Sequence, residues 1–364
     1  MTADVHPEIS VAIPTCNGRP LLESCLQALA GLAYPPDRLE VLVYDNGSTD
    51  GTAEWLAARH PNVRVLAAAR NEGFAAPCNR LAEAAHAPRV FFLNNDVRVE
   101  PESLSALAAA AEQTGAVCVG ARVLTAEGDR IEFDGGTMNF LGHGAPARNG
   151  ACSVGHEAER EPVDTLFTSG AAMLVDRAVF LSAGGFDEDY FAYFEDVDLG
   201  WRLWTLGERC VQAPAARVRH REHASEGLLP AGRRLALLER NALLSVVKNY
   251  EEDRAGRVFR CGLALIAERE KLAADPVRRR ACREGLLRAA VALPAVERRA
   301  AELRSRRCRQ DAEIAPLFVD PFRPPIGGER YARRQREVAA LFGAADLFGP
   351  PPDASGSNED SECA

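Results

Sequence analysis

The first part of the chain alternates short apolar runs with segments in which apolar residues recur at helical spacing. This alternation is typical of βα units around a mostly parallel sheet. The predicted strands are 9–14, 39–45, 63–66 and 89–93, and the predicted helices between them are 19–31, 51–60 and 75–86. The pattern therefore predicts an α/β fold.

Later parts of the chain follow other patterns. Helices are predicted at 101–113, 177–183 and 196–206, strands at 116–122, 165–175 and 210–213, and glycine-rich loop or irregular strand at 128–155. From residue 229 onward, long segments such as 233–250 and 254–274 have helical period, and residues 349–364 have the composition of a disordered tail. We therefore predict an α/β domain at 1–228, a helical annex at 229–348 and a disordered tail at 349–364.

Composition limits the class of protein. The chain has 364 residues, 47% hydrophobic and 26% charged, which is enough to bury a full core. Its formal charge of −9 argues against nucleic acid as the main partner, since phosphate binding needs a positive surface. Neither the polar residues 1–8 nor any later run is apolar enough to cross a bilayer, so a cytoplasmic location is expected.

Polar residues stand at the predicted carboxyl ends of three strands. They are Thr15, Asn17, Asp45, Asn46 and Asp96. In an open α/β sheet the ligand binds at the carboxyl ends of the strands, so these side chains are expected to converge on one cleft. The segment that ends in Asp96 begins with Asn94 and Asn95, and its oxygen atoms suit a divalent cation.

Three carboxylates, Glu195, Asp196 and Asp198, follow an aromatic run at the start of a predicted helix. Capping is the ordinary explanation, because the free N–H groups of a first helical turn attract negative charge, but capping accounts for only one carboxylate. A partly dry aromatic wall would raise the pKa of a carboxylate and suit it to remove a proton from an alcohol. Asp196 is therefore a candidate general base.

Two loops that precede helices suit a nucleotide. Residues 45–52 form an ordinary βα loop with a helix cap, yet Asp45 at its start could accept a hydrogen bond from a pyrimidine N–H. In residues 70–74, the guanidinium of Arg70 and the N–H groups of the next helix suit a diphosphate.

Taken in order, these motifs resemble those of the inverting glycosyltransferases of family 2, which have the GT-A fold, and especially their rhamnosyltransferase-like and galactofuranosyltransferase-like branch. The matching segments are 11–15, 45–52, 70–74, 94–96, 169–171, 184–187 and 195–198, followed by His220. The resemblance spans about residues 9–250 and implies a GT-A-type nucleotide-binding sheet flanked by helices, with a C-terminal helical annex.

The resemblance also implies a role for each matching residue. Nucleotide contacts are implied at Thr15, Asn17, Asp45, Asn46, Arg70 and Asn95. The catalytic base is implied at Asp196, and acceptor contacts at Glu195, Gly184, Gly185 and Tyr193.

A Mg²⁺ or Mn²⁺ cofactor is implied as well. Asp96 matches the last residue of the family's Asp-x-Asp metal motif, and Asn94 stands where the first Asp often is. His220 matches a histidine that completes the metal site, with His223 as a rival. Because Asn94 removes one carboxylate, a weaker site is expected, although Mg²⁺ often binds through one or two carboxylates plus substrate phosphates.

The reaction implied is a single displacement that transfers a sugar from a nucleoside-diphosphate sugar, with inversion, to a hydroxyl acceptor. The donor is expected to carry dTDP or UDP, with rhamnose the favoured sugar, and the acceptor is a glycan, a lipid-linked compound or a small molecule. Two alternatives stay open. A nucleotidyltransferase is disfavoured because residues 14–19 lack a Gly-rich signature bearing Lys or Arg, and the other alternative is a silent glycan- or nucleotide-binding protein of the same fold.

The segment 278–309, which begins with Arg278 and ends with Arg309, is locally basic, with eleven arginines against three glutamates. A solvated helical face is the commoner explanation of such a run. We favour the hypothesis that it docks the enzyme on the cytoplasmic face of an anionic membrane or on a polyanionic acceptor, because Arg is attracted to anionic surfaces. An oligomer formed through the helical annex also stays open.

Overall fold

The computed structural model describes residues 8–153, 161–221, 229–318, 322, 328–344 and 346. Its strands are β1 Ile9–Thr15, β2 Leu39–Asn46, β3 Arg64–Ala68, β4 Arg89–Leu93, β5 Val97–Val99, β6 Cys118–Leu124, β7 Ile131–Phe133, β8 Gly136–Met138, β9 Gly144–Pro146, β10 Val163–Asp164, β11 Ala172–Asp176 and β12 Cys210–His220. Its helices are α1 Arg19–Ala30, α2 Thr52–Arg59, α3 Ala75–Ala84, α4 Ser103–Thr114, α5 Arg177–Ser182, α6 Glu195–Thr205, α7 Ala231–Asn249, α8 Glu252–Leu272, α9 Pro276–Ser305, α10 Asp311–Ile314 and α11 Gly328–Leu341.

The central sheet has the strand order β10-β12-β6-β11-β4-β1-β2-β3. Strand β1 runs parallel to both β2 and β4, and its apolar residues are buried because helices cover both faces of the sheet. Strand β11 runs antiparallel to both β4 and β6. The predicted α/β sheet with flanking helices is confirmed, but it is mixed rather than mostly parallel, since a buried apolar run is compatible with either direction.

Most predicted elements of the α/β part match the structure within a few residues, and two do not. The strand predicted at 165–175 is confined to β11, because the segment before it crosses α6 at close range. A Cβ at Gly200 in that helix would lie 2.5 Å from the carbonyl oxygen of Leu166. The strand predicted at 210–213 instead continues to His220, with an irregularity between Ala213 and Arg217 around Pro214.

The long strand β12 brings distant residues together. Its end is paired antiparallel with β5, so that His220 lies opposite Val97, and Arg221 N donates to Asp96 O at 3.0 Å. Strand β5 has three residues and was not predicted. This pairing places His220 next to Asp96.

The C-terminal helices pack against the α/β part rather than standing apart. Helix α7 buries Asn241, Ser245, Lys248 and Asn249 on one side, and all four contact residues of the segment that leads into α6 or α6 itself. The division at 228 and 348 stays a prediction, and the tail at 349–364 lies outside the described residues. Among the helices that the structure describes, none is both long and apolar enough to cross a bilayer.

Candidate active site

A cleft of about 400 Å³ opens at the carboxyl ends of β1, β2 and β4. The candidate site residues that line it are Thr15, Asn17, Asn46, Asn94, Asn95, Tyr193, Glu195, Asp196 and His220. The strand ends and the first turn of α6 therefore face one cavity. The structure brings these side chains together, and their chemical roles stay predictions.

Hydrogen bonds tie the two loops on the β1 side of the cleft together. Asn95 Nδ2 donates to Thr15 Oγ1 at 2.8 Å, and Thr49 N donates to Asn17 Oδ1 at 2.7 Å. Asp45 is buried beneath the loop that contains Thr49, where its Oδ1 accepts a hydrogen bond from Ser48 N at 3.0 Å. Asp45 thus stabilises the loop and does not line the cleft.

The loop at 70–74 is shaped by Asn46. Its Nδ2 donates to Gly73 O at 2.7 Å, and its Oδ1 accepts from Glu72 N at 2.8 Å. Gly47 lies against the same loop with φ +77°, and a Cβ there would stand 2.7 Å from backbone atoms of Arg70. Arg70 itself is exposed and does not line the cleft, so the structure leaves its predicted diphosphate contact outside the cavity.

The segment that leads into α6 has an unusual backbone. Phe191, Tyr193 and Phe194 have φ of 65°, 68° and 70°, in the left-handed region that non-glycine residues rarely adopt. Each such residue costs about 1–3 kcal/mol and persists only where surrounding contacts hold it. Gly73 packs against this segment, since a Cβ there would lie 2.2 Å from Phe191 O. The strain sits immediately before the two carboxylates of the cleft.

Asp196 is held by backbone donors at the first turn of α6. Its Oδ2 accepts from Gly170 N at 3.2 Å, and its Oδ1 accepts from Val197 N at 2.8 Å. Burial raises the pKa of Asp196, and the N–H donors offset part of that rise. The group is therefore a stronger base than an ordinary aspartate.

The carboxyl group of Glu195 is buried next to that of Asp196. Burial, followed by the negative charge of Asp196, raises the pKa of Glu195 well above its usual value. Its buried Oε2 has no hydrogen-bond partner among the described residues. The carboxyl group of Glu195 therefore keeps its proton to higher pH than an ordinary glutamate, and in its protonated form it can donate to a ligand in the cleft.

The third carboxylate of the cluster has a structural role. Asp198 accepts from Arg202 Nε and Lys248 Nζ, both at 2.8 Å, and from Asn249 Nδ2 at 2.9 Å. Burial alone would raise the pKa of Asp198, but the Arg202 and Lys248 cations lower it to about 2. Its contacts thus fix α6 to α7, away from the cleft.

The donor set of Asp96 and His220 fits a divalent cation. His220 Nε2 lies 3.4 Å from Asp96 Oδ1, and its Nδ1 lies 2.8 Å from Glu132 Oε2. Metal-ligating histidines commonly donate their second ring N–H to a carboxylate in this way. The described residues contain no ready-made group of three such ligands, so bound phosphates and water would have to complete the site. The rival His223 lies outside the described residues.

Gly184 and Gly185 are not part of this cleft. They line a separate cavity of about 580 Å³ between α3, α5 and α9. A Cβ at Gly185 would lie 2.5 Å from Asn79 Oδ1, and Gly185 O accepts from Arg202 Nη2 at 2.6 Å. The two glycines form a tight turn packed against α3 and α6, which argues against their predicted contact with an acceptor.

Three residues of the site were not predicted from the sequence. Glu132 contacts His220, Gly170 donates to Asp196, and Asn71 lines the cleft and accepts from Asn46 Nδ2 at 3.2 Å. Asn71 and Gly170 lay inside segments that had been singled out. Glu132 carried no signal, since it is one acidic residue in a region predicted to be loop or irregular strand.

Comparison with known proteins gives consistent similarities in sequence. The sequence model of glycosyl transferase family 2 matches residues 10–180. An N-acetylglucosaminyl-diphospho-decaprenol L-rhamnosyltransferase of Mycobacterium tuberculosis (strain CDC 1551 / Oshkosh) is 35% identical over 250 residues, which are 63% of this chain and 80% of that protein.

Solved structures resemble the fold. GalNAc-T7, crystallised with UDP, GalNAc and Mn²⁺, matches with a TM-score of 0.63 at 14% identity, over 87% of this chain and 57% of its own. Residues 1–349 of TarS of S. aureus, in complex with UDP, match with a TM-score of 0.51 at 16% identity, over 94% of this chain and 89% of that one.

Proposed function

The chain belongs to glycosyl transferase family 2 and is a glycosyltransferase with the GT-A fold, and we propose that it transfers a sugar from a pyrimidine nucleoside diphosphate to an acceptor hydroxyl with inversion. The observation that carries this proposal is the pair of neighbouring carboxylates in the cleft. Burial raises the pKa of both groups, and the negative charge of Asp196 raises that of Glu195 further. A single displacement needs one base and no nucleophilic side chain.

The proposed step balances in one displacement. Asp196 accepts the proton of the acceptor hydroxyl while that oxygen bonds to the anomeric carbon. The bond from this carbon to the diphosphate breaks on the opposite face, and the nucleoside diphosphate leaves with the electron pair. Glu195 orients the acceptor or the sugar by donating its proton in a hydrogen bond. General-base assistance of this kind contributes about 10²–10⁴-fold to the rate.

The donor is proposed to lie against the β1 side of the cleft. Thr15 and Asn95, joined by their hydrogen bond, and the loop that Asp45 stabilises would contact the nucleoside. Asp96 and His220 would hold Mn²⁺ or Mg²⁺, which when bound neutralises charge on the departing diphosphate. A UDP or dTDP donor, with rhamnose favoured, is supported by the rhamnosyltransferase and the UDP complex among the similar proteins.

The acceptor is proposed to be a sugar carried on a lipid diphosphate. The similar M. tuberculosis enzyme is named for a diphospho-decaprenol compound. In this chain, two cations lie over aromatic residues that line the cleft. The guanidinium of Arg233 is 4.8 Å from the ring centre of Phe191, and that of Arg234 is 5.7 Å from that of Tyr193. Cations at this position suit a phosphorylated acceptor.

A peripheral membrane contact is part of this proposal. Helix α9 exposes Leu287 and Val291, at 69% and 85%, on a helix that also exposes Arg278, Arg279 and Arg280. Exposed apolar side chains beside arginines suit an anionic lipid surface. This placement assumes that the protein acts on the cytoplasmic face.

Turnover with defined substrates tests the proposed function. The purified protein would be incubated with Mn²⁺, a panel of UDP-, dTDP-, GDP- and ADP-sugars including dTDP-rhamnose, and an N-acetylglucosaminyl-diphospho-lipid. We expect nucleoside diphosphate release and an anomeric configuration opposite to that of the donor by NMR. Retained configuration would refute the single displacement, and preference for a purine donor would refute the proposed pyrimidine donor. Donor binding without turnover by the folded protein would favour the silent binding protein.

A further inference from the structure

One buried amide on α7 holds the strained segment that precedes the catalytic carboxylates. Asn241 is fully buried, and its Nδ2 donates to Tyr190 O at 3.1 Å, Ala192 O at 3.0 Å and Tyr193 O at 2.7 Å. Its Oδ1 accepts from Arg240 Nη1 at 2.9 Å, which orients the amide. An amide group has two N–H donors, so both are used here and one of them is shared.

The same segment is held from the opposite side by α3. Phe191 O, the carbonyl that Asn241 does not reach, accepts from Phe74 N at 2.6 Å and from Ala75 N at 3.4 Å. All four consecutive carbonyls, from Tyr190 to Tyr193, therefore have donors from outside the segment. Left-handed residues without such donors relax towards negative φ, because their side chains clash with the backbone at positive φ.

We propose that Asn241 is a positioning residue for Asp196. Asn241 fixes the carbonyls of Ala192 and Tyr193, and it thereby holds Tyr193 and Phe194 at positive φ. As a result, α6 starts at Glu195, and the Asp196 carboxylate accepts a hydrogen bond from Gly170 N. The inference rests on the proposed role of Asp196 as the base. It assigns part of the active site to the helical annex, outside residues 10–180 that match the family model.

Kinetics of Asn241 variants test this assignment. In Asn241→Ala the segment should relax, and because a displacement of about 1 Å can cost 10²-fold, we expect kcat to fall by about 10–10²-fold. The Kd for the donor should stay within about twofold, since Asn241 contacts neither β1 nor the loops beside it. Gln335→Ala is the matched control. It removes a buried amide on α11 that donates to Phe322 O at 3.1 Å, and kcat should stay unchanged.

A double-mutant cycle separates positioning from general stability. In the Asp196→Asn background, Asn241→Ala should lower the residual rate by less than twofold, because a positioning effect needs the base that it positions. An undiminished effect in that background would overturn the inference, as would wild-type kcat in Asn241→Ala. A fully active Asp196→Asn variant would instead refute the proposed role of Asp196 as the base. That outcome differs from the outcomes that would refute the role of Asn241.

A second variant covers loss of folding. Asn241→Ser keeps one short donor, so kcat should lie between those of wild type and Asn241→Ala. Amide hydrogen exchange over residues 190–195 should be faster in either folded variant than in Gln335→Ala. The inference would be overturned if Asn241→Ala is unfolded while Asn241→Ser shows the hydrogen exchange and the kcat of the wild type. In that case Asn241 would contribute to stability alone.

Discussion

The two ring nitrogens of His220 lie between two carboxylates, with Nδ1 2.8 Å from Glu132 Oε2 and Nε2 3.4 Å from Asp96 Oδ1. The contact with Glu132 joins β12 to β7, and the contact with Asp96 joins β12 to the turn before β5. Glu132 thereby fixes the orientation of the imidazole, and Nε2 is left beside Asp96.

The first prediction concerns the metal. Glu132→Gln keeps the shape of the side chain but loses the charge that orients His220, so Mn²⁺ affinity in the presence of UDP should fall about 10–100-fold. Calorimetry measures this directly. Glu100→Gln is the control, because Glu100 pairs with Arg219 at 3.1 Å rather than with His220. Unchanged Mn²⁺ affinity in Glu132→Gln would remove His220 from the metal site.

The second prediction separates the neighbouring carboxylates. Asp196→Asn should lower kcat by about 10²–10⁴-fold with little change in donor Kd, because the base is lost. Glu195→Gln should keep most of kcat, because the raised pKa of Glu195 favours its protonated form and Gln preserves a hydrogen-bond donor. Steady-state kinetics and donor titration of both variants decide it. Equal loss in the two variants would contradict the different roles proposed for the two carboxylates.

The third prediction concerns the acid limb of the pH profile. A base works only when deprotonated, so kcat/KM should fall about tenfold per pH unit as pH drops below the pKa of Asp196. Since burial raises that pKa, the limb should lie above the value of about 3.9 for an ordinary aspartate. Glu195→Gln should leave the limb in place. A limb at or below pH 3.9 would show that Asp196 is not the titrating base.

The fourth prediction concerns stability. Asp198→Asn leaves Lys248 and Arg202 with less buried negative charge. It should lower the free energy of unfolding, measured by urea denaturation, by about 3–5 kcal/mol. Asp253→Asn, which breaks an exposed pair with Arg257, should cost less than about 1 kcal/mol.

The pH dependence of that effect follows from the depressed pKa of Asp198. Its contribution is fully present above the unfolded value of about 3.9, and is lost as pH falls towards the folded value of about 2. The difference in unfolding free energy between the wild type and Asp198→Asn should therefore decrease from pH 7 to pH 3. A difference that stays constant would contradict the assignment.

The fifth prediction concerns α9. Replacing Arg278, Arg279 and Arg280 by Ala should weaken salt-sensitive co-sedimentation with anionic vesicles, since each Arg near such a surface contributes about 1 kcal/mol. The control replaces three exposed arginines elsewhere, namely Arg59, Arg333 and Arg336. Equal losses in both triple variants would show a general charge effect, and no vesicle binding by the wild-type protein would leave α9 as a solvated surface.

Local pattern was enough to predict the strand ends and the acidic helix start. Burial of β1 and β4 follows from continuous apolar runs, and Thr15 and Asn95 stand where the carboxyl ends of such strands meet at one edge of the sheet. Asp196 was singled out by its acidic neighbours at the start of a predicted helix. The acceptor contacts at Gly184 and Gly185 were implied by the resemblance instead, and neither glycine lines the cleft. Their turn conformation is local, but the cavity that they border depends on α3 and α9.

The sequence by itself determined the α/β class, the order of the motifs and the identity of the carboxylates, because these depend on residue type and on neighbours along the chain. Only the tertiary structure decided the antiparallel insertion of β11, the pairing of β12 with β5 that sets His220 beside Asp96, and the contact of Glu132 with His220. It also decided that Asn241, 45 positions after Asp196, holds the segment before α6. Such contacts join residues far apart in the chain, and their register depends on the packing of whole elements, which no local periodicity encodes.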